Sequence, residues 1–139
     1  MSFRELSAWV MAAVMVCTGL YYLRGYLAAS HALGGGVPGF AALAPYAVFA
    51  VAAAIAAQIA ITVFEPKGAE RAPDERERPA LWRAGHWAGL VQGGLCIGAL
   101  QYVIHNDDPA ILFHLLVASL IVSQLLECAL QILFLRRSA

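Results

Sequence analysis

Four apolar stretches, each about twenty residues long or longer, dominate this chain and leave it few ways to fold. A helix that crosses the hydrocarbon of a bilayer needs ~20 predominantly apolar residues. Residues 8–27, 43–64, 84–104 and 110–135 each meet that length. None shows the period-two alternation of a barrel strand, and a helix satisfies its own backbone groups in lipid. The expected fold class is therefore all-α: an integral membrane four-helix bundle forming a single domain over residues 1–139. Composition agrees. Apolar residues make up 61% of the chain and charged ones only 13%, against about a quarter charged in an ordinary globular domain.

The connections fit the same count. Gly34-Gly35-Gly36, Pro38 and Gly39 break a helix and allow the chain to reverse. Pro45 then suits the first turn of the second helix, where a missing N–H costs little. His105-Asn106-Asp107-Asp108-Pro109 reads as a tight hairpin, with Asp108 as N-cap and Pro109 at the first helical position. The third and fourth helices are accordingly expected to be antiparallel neighbours.

Orientation follows from the lysines and arginines. With four crossings, the two ends of the chain and the charged 65–83 loop share one side. That side carries Arg4, Lys67, Arg71, Arg76, Arg78, Arg83, Arg136 and Arg137, whereas the other carries Arg24 alone. Both termini are thus expected in the cytoplasm. The rival reading, a cleavable signal peptide ending near Ser30-His31-Ala32, fits less well. Its apolar core is too long, and Arg24 and three tyrosines precede the supposed cut.

Glu127 is the one acid well inside an expected span, nine residues in from Arg136, or ~13 Å at the helical rise. Charge at such depth costs ~3 kcal/mol or more, so the residue should be protonated, paired or turned inward. Ser119, Ser123, Gln124 and Gln131 lie near it at helical spacing and complete a polar stripe. The bland reading makes this stripe glue between helices or between copies of the chain. The sharper one makes Glu127 a proton or cation site.

Gly85, Gly89 and Gly93 recur every four residues on the third helix, an interval that lets helix backbones pack closely. Arg24 is expected to reach the outer headgroups or the acids Asp107 and Asp108 at the same face. His31, His105 and His114 sit near that face too, but no two ligands have i, i+4 spacing and His86 is at the other end. No metal, haem or other cofactor is expected. Cys17, Cys96 and Cys128 read as small packing residues. The sequence holds no nucleophile–base pair, phosphate-binding glycine loop or zinc-protease motif, so no enzyme activity is expected.

Asp74-Glu75-Arg76-Glu77-Arg78, followed by Arg83-Ala84, resembles the Asp-Glu-Arg-Asp-Arg run that precedes the third helix in one family. Its members are small bacterial four-helix inner-membrane proteins of unknown function. Ser2-Phe3-Arg4-Glu5 with Ser7-Ala8-Trp9 is similar to the start of its proteobacterial members. Glu127, Gln131 and Arg136-Arg137 are similar to their ending. Three positions depart from the pattern: Glu77 replaces an Asp, Pro79 interrupts the approach to the helix, and His86 stands where Arg is common. The resemblance implies a multi-pass protein of the bacterial inner membrane, sometimes encoded beside small helix-turn-helix regulators, and it brings no activity with it.

Five acids and five bases interspersed over residues 65–83 make a well-solvated segment. It serves as a topological anchor or, through Asp74, Glu75, Arg76, Glu77, Arg78 and Arg83, as a docking surface. The expected function is that of an interaction or regulatory membrane protein. Its partners would be the lipid bilayer, a second copy of the chain and a soluble cytoplasmic regulator, with no direct nucleic-acid binding. The alternative is a small oligomeric proton- or cation-coupled transporter that uses Glu127.

Overall fold

The structure is a computed structural model that describes residues 3–64, 74, 75 and 77–138. Four helices make up almost all of it: α1 (Phe3–Ala32), α2 (Phe40–Phe64), α3 (Glu77–Asn106) and α4 (Ala110–Ser138). All four are long and apolar enough to cross a membrane. They run for 25 to 30 residues. At the helical rise that is ~38–45 Å, more than the ~30 Å of bilayer hydrocarbon.

α4 begins at the expected residue, whereas α1, α2 and α3 overrun the apolar stretches. Apolarity marks only the part that must sit in lipid; a helix continues until something caps it. α3 shows this best. It starts at Glu77 rather than near residue 84, because Asp74 caps it: the Asp74 carbonyl accepts from the Arg78 N–H at 3.1 Å. The Asp74 N–H in turn donates to the Glu77 carboxylate at 3.4 Å, the reciprocal half of a capping box. Residues 77–83 of the expected loop are therefore the first turns of a helix. Lys67, Arg71 and Arg76 lie outside the described residues.

α2 starts at Phe40, so Pro45 falls in its second turn and not, as expected, in its first. α1 ends in a left-handed glycine. Gly34 has φ 65°, its N–H reaches the His31 carbonyl at 3.1 Å, and the Gly35 N–H reaches that of Ser30 at 2.9 Å. These are the two bonds of a Schellman cap, and the φ is one that side chains with a Cβ resist. The α3–α4 hairpin forms as expected. Asp108 Oδ1 accepts from the Ala110 N–H at 3.1 Å, and Asp107 turns the chain with φ 52°.

The helices pack in the order α2–α1–α4–α3, with α2 also grazing α4. This is a row with a folded edge more than a closed square. The close approach of α3 to α4 uses Ala80, Ala84 and Ala88 at four-residue spacing, then Ala99, all buried. Large apolar side chains point the other way: Leu20, Val48, Ile59, Leu90, Ile97 and Ile104 are all exposed. Small residues inside and bulky ones outside is the pattern of helices whose solvent is itself apolar. Between α1 and α2 the contact is tighter still. A Cβ at Gly25 would lie 2.6 Å from two carbons of the Tyr46 ring.

Gly25→Ala should therefore force Tyr46 aside and lower stability by about 1–3 kcal/mol, the usual range for overpacking. Gly93→Ala, which meets open space, should cause no loss. The midpoints of denaturant-induced unfolding in detergent micelles compare the two.

Candidate functional site

The polar side chains of α4 follow its length at four-residue intervals, because Ser119, Ser123, Glu127 and Gln131 share one side of the helix. Ser119 and Ser123 are buried; Gln124, Glu127 and Gln131 are partly covered. Ser119 Oγ donates to the Leu116 carbonyl at 2.8 Å and accepts from Gln92 Nε2 of α3 at 3.0 Å. Gln92 Nε2 also approaches Cys96 Sγ at 3.2 Å, whereas its Oε1 is buried with no hydrogen-bond partner.

Further along, Glu127 Oε1 accepts from Gln131 Nε2 at 3.0 Å, and Oε2 from Gln124 Nε2 at 3.5 Å. Gly85 of α3 stands opposite, where a Cβ would come 3.8 Å from Oε1. That is ordinary contact distance, so an alanine at this position would fit against the carboxylate. Among the described residues no cation pairs with Glu127. The acid is held by amides of its own helix.

The stripe does not form one interface. Ser119 and Glu127 meet α3, whereas Ser123 and Gln124 open onto a cavity between α1, α2 and α4. Of the glycines expected to pack α3 closely, Gly85 alone faces a neighbour; Gly89 and Gly93 meet open space. The alanine row one residue round the helix has taken that role.

At the other end of the molecule a second polar group forms around His114, which the sequence placed only near the outer face. His114 is buried, and its Nε2 lies 2.7 Å from the Pro38 carbonyl oxygen. A carbonyl only accepts, so Nε2 carries the hydrogen and Nδ1 accepts from the buried Tyr22 hydroxyl at 2.8 Å. Tyr26 packs against the same imidazole edge-on, with ring centroids 5.0 Å apart. One side chain thus ties α4 to α1 and to the α1–α2 connection. The available signal was a histidine inside an apolar span, which needs a partner somewhere.

His31 and His105 are exposed and stand apart from this group, and His86 stacks on Trp82 with the rings 5.4 Å apart. Among the described residues no three His, Cys, Asp or Glu side chains gather as metal ligands would. Arg24 is exposed, and among those residues no ion pair joins it to Asp107 or Asp108. Asp108 is already engaged as the cap of α4.

The charged end is cross-linked instead. Arg4 of α1 pairs with Glu77 of α3 at 3.4 Å, and Arg136 of α4 with Glu5 of α1 at 2.8 Å. Arg136 also lies over the Trp9 ring, 5.9 Å from its centroid. Such partly exposed pairs contribute ~0–1 kcal/mol each, and they fix position more than stability. Asp74, Glu75, Arg78 and Arg83 remain on the surface.

Comparison with family models, curated proteins and solved structures finds no match to this chain. The reading of its function rests on the residues themselves.

Tyr22→Phe removes the donor to a buried nitrogen and should destabilise the protein by about 1–3 kcal/mol. In a His114→Phe background the same change should cost far less. A double-mutant cycle on unfolding midpoints in micelles measures the coupling, and simple additivity would mean that the bond contributes nothing.

Proposed function

We propose that this chain is a multi-pass protein of the bacterial inner membrane, with both ends in the cytoplasm, that works by interaction and not by catalysis. The small four-helix inner-membrane family that its charged run resembles is consistent with that reading. The observation that carries it is the start of α3. Capped by Asp74 and tied to α1 through Arg4 and Glu77, it is a fixed helical platform and not a slack loop. Asp74, Glu75, Arg78, Trp82 and Arg83 are exposed on it. A preformed surface of mixed charge beside an exposed indole suits recognition of a soluble regulator, because complementary charge steers encounter and fixes register.

With Arg78 and Arg83 both reversed to Glu, a partner that co-purifies with the wild-type protein from membranes should be lost while the chain still inserts. Retention of that partner would count against the platform as the docking site. A periplasm-active reporter fused after Ala139 should stay silent, and activity from it would overturn the orientation.

A second reading has its own support. Glu127 is an acid within a span, without a cationic partner among the described residues, and intramembrane acids commonly mark proton or ion paths. A transporter working through it would be oligomeric. In proteoliposomes, Glu127→Gln should then abolish proton-linked flux while leaving assembly intact. If the acid serves packing, flux stays at background in both proteins, and the change instead alters the oligomeric state in detergent.

A further inference from the structure

The helix row leaves a space that neither proposed role uses. α2 packs along α1 but only grazes α4, and between the three lies a cavity of about 340 Å³. That is within the range of roughly 300–1,000 Å³ typical of small-molecule sites. Its α2 wall is built from Ala47, Ala50 and Ala54 with the exposed Val51 and Ile55 beside them, and Val117 and Ile121 of α4 lie across from them. The small side chains of α2 make the room; larger ones would close it.

The polar lining has a definite sense. Thr18 Oγ1 donates its hydrogen to the Val14 carbonyl at 2.8 Å, and Ser123 Oγ donates to that of Leu120 at 3.3 Å. The Tyr22 hydroxyl donates to His114, and the Gln124 amide nitrogen to Glu127. The three hydroxyls have each committed their one hydrogen to the protein and keep lone pairs for something else, and the Gln124 amide offers its carbonyl oxygen and a second N–H. Thr18 and Ser123 are both at least nine-tenths buried, near the middle of α1 and α4. Among the described residues no charged side chain lines the space.

We propose that this cavity binds a neutral amphiphile: an aliphatic chain that bears a hydroxyl group. The chain lies along the α2 alanines, and the hydroxyl donates its hydrogen to Thr18 or Ser123. A phosphate or carboxylate finds no cation there. A plain alkane fills the volume but leaves the two buried oxygens without a donor.

The test uses a diazirine-bearing tetradecanol and the purified full-length protein in lipid nanodiscs. Labelling should concentrate on α2 and α4 at the cavity wall. Unlabelled tetradecanol should compete about tenfold better than tetradecane, the equivalent of one net hydrogen bond. Thr18→Val with Ser123→Ala should erase that preference without abolishing labelling, and Ala54→Phe should abolish labelling itself. Labelling spread evenly over all four helices, or equal competition by alcohol and alkane in the wild type, overturns the proposal. Both of these results come from the unmodified protein, so they decide the matter even if Ala54→Phe fails to fold.

Discussion

In hydrocarbon no water is available to rescue an unpaired polar group, so each must find its partner inside the protein. That requirement organises α4. Ser119 and Ser123 turn their hydrogens to their own helix, Glu127 is held by Gln124 and Gln131, and His114 uses both ring nitrogens. Ser119 and His114 also reach other parts of the chain, and those two contacts set which neighbours α4 can have. Polar pairing chooses the neighbour; apolar contact then fills the seam.

The α3 seam is filled with small side chains for the same reason. Burying a leucine against another helix gains little when the alternative is a lipid tail, so helix contact relies on close approach and dispersion. The buried alanines of α3 and the bare backbone at Gly25 serve that end. The bulky residues are left for the bilayer. At the charged end this logic gives way to partly exposed ion pairs that align three helices.

What the sequence could show and what it could not divide along physical lines. Span number and the α3–α4 hairpin were legible, because apolar runs, Asp108 and Pro109 act through neighbours in the chain. The pairing of Glu127 with Gln131 was legible for the same reason, being i to i+4. Which face of α3 would be buried was not. Ala80, Ala84 and Ala88 have the same spacing as Gly85, Gly89 and Gly93, and only the position of α4 decides between them. Tyr22 and His114 are separated by 92 positions, and no local pattern links them. Helix ends were missed where capping, not hydropathy, sets them: Asp74 starts α3 well before its apolar part begins.

The row α2–α1–α4–α3 also implies an order of events during synthesis. α1 and α2 emerge first and can pair as a hairpin, but the other flank of α1 waits for α4, the last of the four described helices. Until then Tyr22 lacks His114, and Thr18 lacks the helix across from it. The first half of the molecule is thus incomplete until α4 has been made. A chain cut short before α4 would leave the Tyr22 hydroxyl and the α1 face around Thr18 without the helix that covers them.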